Sequence, residues 1–336
     1  MDTPVGVIPR VGTRLTLADR WGHVLVRWGV GRMRYRVDPG LYAVGEPEAN
    51  SPVLVTANYK LTFDSLRASL ENLSAWVLVL DTDGVNVWCA AGKGAFGTAE
   101  LVRRIGLSRL SQVVSHRRLI LPQLSGPGVA AREVRRLSGF EVFFGPVRSR
   151  DIPEYLEKGI QPGMRRVTFT FTERLVLVPV ELTGSLKPAA VLLIAFFLVG
   201  GLGGAHGYWD GLAHEGLFAV LALALAALAG MAATPLLLPW LPGRAFSLKG
   251  LWPGLAVFVL LVLAGSFRLN DGSGRLEFLA WLLMAPALAS FTAMNFTGAS
   301  NFTSLSGVRK EMRRALPLQI SAGGVGLAAW LAARVL

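Results

Sequence analysis

Residues 53–80 read VLVTANYKLTFDSLRASLENLSAWVLVL and contain the clearest fold signal in the chain. The apolar run 53–56 predicts a buried strand, and the run 76–80 predicts a second one. Between them, residues 61–73 carry apolar side chains at helical spacing, and Thr62 is the predicted N-cap. Short, continuous apolar strands separated by a helix are typical of an α/β sheet with both faces covered.

The same alternation continues to about residue 157. Strands are predicted at 119–121 and 140–144, and helices at 98–105, 128–137 and 151–157. Residues 1–50 are expected to be irregular, and residues 167–181 to form a late strand. The sequence thus predicts an irregular segment at 1–50 and a Rossmann-like α/β domain at 51–182. Ligands of such folds bind at the loops after the strands, which here are residues 57–58, 81–94, 122–128 and 145–149.

The second half of the chain is much more apolar than the first. Residues 187–336 contain 10 Lys and Arg and 5 Asp and Glu, whereas residues 1–186 contain 24 and 17. The mean hydropathy of +0.47 is too high for an ordinary soluble protein. A membrane span needs about 20 largely apolar residues, and five candidates lie at 187–205, 217–239, 251–267, 277–295 and 316–334. The sequence therefore predicts a transmembrane domain of about five helices over 187–336.

The charges of the loops predict an orientation. An excess of Lys and Arg precedes the first span, separates the second from the third, and follows the fourth. By the positive-inside rule, the N-terminus is then inside and the C-terminus outside. No cleavable signal is visible in residues 1–15. We expect a multi-pass protein of the cell (inner) membrane whose α/β domain is cytoplasmic.

The basic character of the chain, with a net charge of +12, raises the question of nucleic-acid binding. The basic residues are scattered or lie at membrane edges, and no RNA- or DNA-binding signature accompanies them. Anionic lipid headgroups explain the charge better. We expect a lipid membrane as partner and no nucleic acid.

The only cysteine lies in the segment NVWCAAGK at 86–93. Asn86 is a good N-cap, and Gly92 is the expected stop of a short helix, so that Cys89 falls at the third helical position. The helix dipole and Lys93 favour the thiolate, the form of cysteine that binds metals. A single cysteine also excludes an intramolecular disulfide and a four-cysteine iron–sulfur cluster.

The segment admits two other interpretations. A lone cysteine is more commonly a small apolar core residue, and that role stays open for Cys89 on its own sequence context. A phosphate-binding loop is excluded, because the required spacing before Gly-Lys-Ser/Thr is not met: Gly94 follows Lys93.

Further motifs carry a family resemblance. The run TANYKLTFD at 56–64, residues 81–97, Leu-Pro-Gln at 121–123 and Gly-Pro-Gly at 126–128 resemble the corrinoid-binding domain of the corrinoid iron–sulfur proteins of acetyl-CoA synthesis. The version NVWCAAGK, followed by membrane spans, resembles the mercury-methylating corrinoid proteins of the HgcA family. The resemblance covers most of residues 50–180 and extends into the membrane half.

This resemblance implies a function. The chain would be a membrane-anchored, corrinoid-dependent methyltransferase that transfers a cobalt-bound methyl group to Hg(II) and so forms methylmercury. Cys89 would be the lower axial ligand of the cobalt, as its thiolate. The histidine signature of other corrinoid proteins, Asp-x-His-x-x-Gly, is absent, so His ligation is not expected. The residues expected at the cofactor are Thr56, Asn58, Asn86, Val87, Trp88, Cys89, Ala90, Ala91, Gly92, Lys93, Pro122, Gly126 and Gly128.

The resemblance also implies partners. Because this chain cannot hold an iron–sulfur cluster of its own, the expected reductant is a ferredoxin-like protein with two four-iron–four-sulfur clusters. The methyl group would come from a methyl donor protein or a methyltetrahydrofolate-linked methyltransferase. A Thr/Ser-rich linker at 295–308 is hypothesised to dock near the corrinoid.

Two alternatives remain at this point. The chain could be a corrinoid methyl carrier of one-carbon or acetyl-CoA metabolism, although it lacks the cluster cysteines of that family. It could also be a non-enzymatic membrane protein that binds corrinoid.

Overall fold

The computed structural model describes residues 1–203, 207–299 and 305–335. The chain forms two compact units, Met1–Thr168 and Phe169–Leu336. His206 and part of the linker at 295–308 lie outside the described residues, so the hypothesis on that linker stays a prediction.

The first unit is built on a six-stranded sheet with the order β3-β4-β6-β5-β7-β8. Its strands are β3 (Arg10–Val11), β4 (Gly40–Val44), β5 (Val53–Ala57), β6 (Ala75–Leu80), β7 (Arg118–Leu121) and β8 (Glu141–Phe144), preceded by a small hairpin of β1 (Asp2–Thr3) and β2 (Gly6–Val7). Its helices are α1 (Leu17–Arg27), α2 (Lys60–Ser69), α3 (Val87–Lys93), α4 (Thr98–Leu107), α5 (Leu110–Val113), α6 (Ala131–Ser138) and α7 (Ile152–Lys158).

The predicted α/β class is confirmed. Strands β5, β7 and β8 run parallel to their neighbours in the sheet, and β6 is parallel to β5 but antiparallel to β4. Every residue of β5 and β6 is buried, because hydrophobic clusters cover both faces of these strands. This explains why both strands are continuous apolar runs in the sequence.

The order of the strands creates a crevice at one point of the sheet. The connection after β5 leads through α2 to β6 on one side, and the chain then crosses β5 to reach β7 on the other. Only Val53 and Leu54 of β5 pair with β7, whereas five residues of β5 pair with β6. The ends of β5 and β7 therefore separate at a topological switch point, where α/β folds bind ligands.

The expectation of an irregular segment at 1–50 is wrong. Thr16 and Asp19 form a reciprocal capping box that starts α1, and Gly40–Val44 pairs antiparallel with β6. The sequence did not predict this strand, β4, because its pairing partner β6 is distant along the chain. The compact unit accordingly begins at Met1 and not at residue 51.

The ends of α2 also differ from the prediction. Tyr59 is the N-cap residue instead of Thr62, and the helix ends at Ser69. Asn72 has a φ of 64°, a left-handed conformation that ends the helical path before Leu73.

Residues 167–181 do not form the predicted strand. Thr170 and Glu173 form a second capping box, which starts α8 (Phe171–Leu175), and α9 (Val178–Gly200) follows. The alternating pattern was overridden because the cap satisfies the free backbone N–H groups of a helix.

In the second unit, five helices of the described residues are long and apolar enough to cross a membrane, which confirms the predicted number. They are Phe171–Gly200, Tyr208–Leu237, Phe246–Leu263, Gly272–Asn295 and Ser306–Ala333. The last three correspond to α13 (Phe246–Leu263), α14 (Gly272–Asn295) and α15 (Leu305–Ala333). The second contains α10 (Tyr208–Gly211), α11 (Leu217–Leu228) and α12 (Thr234–Leu237). Each starts earlier than predicted, because charged residues in the first turns are helical without being apolar.

Glycines allow these helices to approach closely. A Cβ added at Gly250 of α13 would lie 2.5 Å from the Cβ of Ala293. At Gly254 it would lie 2.6 Å from the Cα of Pro286 on α14. Small residues at such crossings are the usual means of packing helices within a membrane.

Candidate functional site

A cleft of about 570 Å³ opens at the switch point between β5 and β7. The ends of the two strands and the loops at 81–94, 122–128 and 145–149 meet there, together with the first turns of α2. The lining includes Thr56, Leu61, Thr62, Ser65, Asn86, Val87, Trp88, Leu121, Pro122, Leu124, Val147, Arg148, Ser149 and Arg150. The cleft thus lies where parallel α/β sheets place their ligands.

The short helix α3 brings the cysteine segment to this cleft. Asn86 is the N-cap as predicted, and its Oδ1 accepts a hydrogen bond of 2.9 Å from the backbone N–H of Cys89. Cys89 therefore occupies the third helical position. The predicted stop is wrong: Gly92 lies inside the helix, and Gly94, with a φ of 85°, is the left-handed C-cap.

One face of α3 is buried and the other is accessible. Val87, Ala90 and Ala91 pack into the core of the first unit. Trp88 is 37% exposed, and Cys89 is half-buried. The thiol is thus not a fully buried core group, unlike its neighbour Ala90.

The turn that leads into α3 is held in place by hydrogen bonds with Asn58. The Oδ1 of Asn58 accepts hydrogen bonds from the backbone N–H groups of Thr82 (3.1 Å) and Gly84 (3.0 Å), and its Nδ2 donates to Asp81 (3.1 Å). Asn58 is only 1% exposed and is not part of the cleft wall. In this structure its amide holds the loop that orients the cysteine helix.

Glu100 holds the same turn from α4. Its Oε1 accepts a hydrogen bond of 2.9 Å from the backbone N–H of Asp81. Burial raises the pKa of Glu100, but this hydrogen bond and those from Arg103 and Arg104 outweigh burial and hold the pKa below its usual value. The carboxylate is therefore charged at neutral pH and keeps its acceptor role.

The Gly-Pro-Gly motif lies against the back of α3. A Cβ at Gly128 would lie 2.2 Å from the carbonyl oxygen of Phe96 and 3.0 Å from the Cα of Ala91. At Gly126 the nearest atom would be 3.4 Å away. Gly128 is thus needed for the close approach of this loop to the cysteine helix.

The predicted site residues fall into two groups. Those that line the cleft are Thr56, Asn86, Val87, Trp88 and Pro122. Those outside the cleft wall are Asn58, Cys89, Ala90, Ala91, Gly92, Lys93, Gly126 and Gly128. The second group forms and supports α3.

The cleft also contains polar residues that were not predicted as site residues. Arg148 and Arg150 bring positive charge to the cleft, and Thr62 and Ser65 bring hydroxyl groups from α2. Arg148 also donates a hydrogen bond to Thr168. The sequence could have identified Arg148, since it lies in the loop at 145–149 that follows a predicted strand.

The chemistry of the site is that of one sulfur donor beside a mainly apolar cleft. Among the described residues, no group of three or more His, Cys, Asp and Glu side chains could hold a metal ion. His23 and His116 contact Asp64 and the backbone of Ser51 instead. The side-chain hydroxyl of Thr56 makes no hydrogen bond within the described chain, although the residue is only 1% exposed.

The first unit is similar in sequence to known proteins. Residues 31–156 match the sequence profile of the CO dehydrogenase/acetyl-CoA synthase delta subunit. The resemblance of the α/β unit to proteins of acetyl-CoA synthesis is thereby confirmed.

Individual relatives agree with this assignment. Subunit gamma of the acetyl-CoA decarbonylase/synthase complex from Methanopyrus kandleri is 39% identical over 126 residues, which cover 36% of this chain and 26% of the relative. The same subunit from Methanothermobacter thermautotrophicus is 36% identical over 127 residues (36% and 27%). That from Archaeoglobus fulgidus is 32% identical over 136 residues (39% and 28%). The chain thus spans about a quarter of the length of these relatives.

Proposed function

We propose that this chain is a membrane-anchored, corrinoid-dependent methyltransferase of the HgcA family that transfers a methyl group to Hg(II). The observation that carries the proposal is the placement of Cys89 on a capped helix beside the switch-point cleft. The relatives from acetyl-CoA synthesis support a methyl-transfer protein in general, and the five apolar helices support its membrane anchoring.

The residues at the cleft fit a corrinoid. A corrinoid supplies most of the ligands of its own cobalt, so the protein needs to add a single donor, and Cys89 is the only sulfur donor of that kind. The apolar wall that includes Leu121 and Leu124 suits a large organic group, and the hydroxyl of Thr56 is free to bind a polar group on it.

In this proposal the chain's own residues hold and orient the cofactor. Cys89 would bind the cobalt through Sγ, and Asn86 and Gly128 would keep its helix in place. When bound, the corrinoid would supply the methyl-transfer chemistry, and the Cys89 thiolate would donate electron density to its metal, which favours transfer to an electrophile such as Hg(II). Thr56, Trp88 and Pro122 would contact the cofactor from the cleft wall.

The proposal includes partners. Its redox cycle needs an external reductant, for which we propose a ferredoxin-like protein with two four-iron–four-sulfur clusters. We further propose a methyl donor protein, or a methyltetrahydrofolate-linked methyltransferase, as the source of the methyl group.

Replacement of Cys89 tests the proposal. Anaerobic membranes that contain the full chain, corrinoid, the methyl donor and a low-potential reductant are given Hg(II), and methylmercury is measured. Cys89→Ala is expected to lose at least about 100-fold in rate, since the loss of groups that merely support a metal ligand already costs about 10–100-fold. The cobalt–thiolate absorption of the purified protein should disappear with it.

Leu107→Ala at the end of α4 is the control in the same unit. Leu107 is 64% exposed and does not line the cleft, so activity should stay within a few-fold of wild type. Unchanged methylation in Cys89→Ala would contradict the proposal.

The relatives favour one second candidate, a corrinoid methyl carrier of acetyl-CoA metabolism. Such a carrier would bind corrinoid and accept methyl groups, yet form no methylmercury when supplied with reductant and Hg(II). The same assay therefore separates the two functions.

A further inference from the structure

A large groove lies within the second unit, away from the candidate corrinoid site. It has a volume of about 1000 Å³ and lies between α13, α14 and α15. The apolar part of its wall includes Leu251, Leu255, Leu282, Leu283 and Leu318. An apolar groove on membrane-spanning helices suits the hydrocarbon chains of a lipid.

The base of the groove is fixed by hydrogen bonds that join all three helices. Gln319 of α15 donates to the Oγ of Ser290 on α14 at 2.8 Å. Ser290 in turn donates to the backbone carbonyl of Ser247 on α13 at 2.8 Å. These hydrogen bonds therefore hold together the three helices that form the groove.

One end of the groove is positively charged. Arg244 precedes α13, and Lys310 and Arg314 lie one turn apart at the start of α15. All three side chains are exposed, and none forms an ion pair within the described part of the chain. Glu311, the acid beside them, accepts a hydrogen bond of 2.6 Å from the backbone N–H of Ser247 at the start of α13.

We infer that this groove binds one anionic phospholipid, with the phosphate at Arg244, Lys310 and Arg314 and the acyl chains along the leucine wall. Three basic side chains and only one carboxylate, that of Glu311, line this end of the groove, so it carries excess positive charge. Basic pockets between transmembrane helices bind anionic headgroups, and the start of a span is the depth at which headgroups lie. This site is independent of the proposed methyl transfer.

Lipid binding to the purified full chain tests the inference. The protein is delipidated in a neutral detergent and titrated with dioleoylphosphatidylglycerol or dioleoylphosphatidylcholine, and bound lipid is counted by native mass spectrometry. We expect one phosphatidylglycerol per chain, bound at least about tenfold more tightly than phosphatidylcholine, since each basic residue near a headgroup adds roughly fivefold. Glycerol 3-phosphate, which has no acyl chains, should not bind at the same concentrations.

Two pairs of substitutions on one helix separate the groove from general surface charge. Lys310→Gln/Arg314→Gln should weaken phosphatidylglycerol binding by roughly 30-fold, whereas Arg309→Gln/Arg313→Gln, with the same change in charge outside the groove, should leave it within threefold. Ala287→Phe fills the groove without a change in charge and should also abolish binding. Melting temperatures verify that each variant is folded.

Several results would overturn the inference. Equal affinity for the two lipids would indicate a site for neutral amphiphiles, and binding of glycerol 3-phosphate would indicate a site for soluble phosphates. An equal loss in both charge variants, or wild-type binding by Ala287→Phe, would place the lipid outside the groove.

Discussion

At the scale of single residues, Cys89 is positioned by groups from separate parts of the chain. Asn86 caps its helix, the backbone N–H of Phe96 donates to Ala90 at 3.1 Å, and Gly128 lets a distant loop lie against the back of the helix. A ligand on a helix held in this way loses little conformational freedom when it binds a metal. The close contact at Gly128 is the most sensitive point of this arrangement.

Gly128→Ala is therefore expected to disturb α3. Its new methyl group would lie 2.2 Å from the oxygen of Phe96, and overpacking of this kind typically costs about 1–3 kcal/mol. We expect a lower melting temperature and at least about tenfold weaker corrinoid binding, since small displacements of a metal ligand carry losses of that size. Both are measured on the purified full chain.

Gly126→Ala, two residues away, provides the comparison. Its nearest atom would be 3.4 Å distant, an ordinary contact, so the change should be nearly neutral. Equal effects of the two substitutions would show that the loop is sensitive as a whole and that the contact with α3 is not special.

At the scale of elements, α1 is attached to α2 through a cluster of four charged residues, of which Asp64 and Arg67 are buried. Asp64, which is fully buried, accepts hydrogen bonds from Lys60 (2.6 Å) and Arg67 (2.7 Å). Asp19 of α1 accepts from the same two side chains at 2.6 Å and 2.8 Å. The charged face of α2 is thus covered by α1, and removal of one partner would leave a buried charge unpaired.

This cluster predicts a dependence of stability on pH. Burial raises the pKa of Asp19, but hydrogen bonds from Lys60, Thr16 and Arg67 outweigh it and hold the pKa well below the usual 3.8. A carboxylate with a depressed pKa stabilises the fold above its unfolded pKa, and this contribution is lost as the pH falls towards the folded pKa. The melting temperature of the full chain should therefore decrease below about pH 4.

The substitution Asp19→Asn measures the contribution of the Asp19 carboxylate to folding stability. At pH 7 the variant should be less stable by about 1–3 kcal/mol, because Lys60 and Arg67 lose a charged partner. Its deficit relative to wild type should shrink below pH 4. Asp38→Asn, an exposed position without an ion pair in the described chain, should match wild type throughout; a constant deficit of Asp19→Asn at every pH would refute the assignment.

At the scale of the whole molecule, the α/β unit is followed, within the described residues, by five helices that are long and apolar enough to cross a membrane. An odd number of spans places the two termini on opposite sides of a membrane. The basic loops flanking the spans put the α/β unit inside, in our proposal.

The single thiol allows a direct test of this orientation. A membrane-impermeant maleimide should label Cys89 in inverted membrane vesicles and fail to label it in right-side-out vesicles. The extent of labelling is measured by mass spectrometry of the intact chain without bound corrinoid.

A cysteine introduced on the other side of the membrane provides the complementary test. Asn270→Cys in a Cys89→Ala background places the label in the loop between α13 and α14, where Asn270 is exposed. It should react in right-side-out vesicles alone. The reverse pattern at both positions would invert the proposed topology.

The amino-acid sequence by itself determined the features that depend on neighbouring residues. The strands predicted at 53–56 and 76–80, the capped helix after Asn86 and the number of apolar spans follow from periodicity, capping and the length of apolar runs. These signals are local, so each could be predicted without knowledge of the rest of the fold.

The tertiary structure alone decided the features that depend on distant residues. Asn58 holds Thr82, 24 positions away, Gly128 packs against Ala91, and β4 finds its partner in β6. Arg148 reaches the cleft only because β8 ends next to β7. Cys89 was recognisable in the sequence, but its place beside a cleft at the switch point results from strand order, which long-range packing sets.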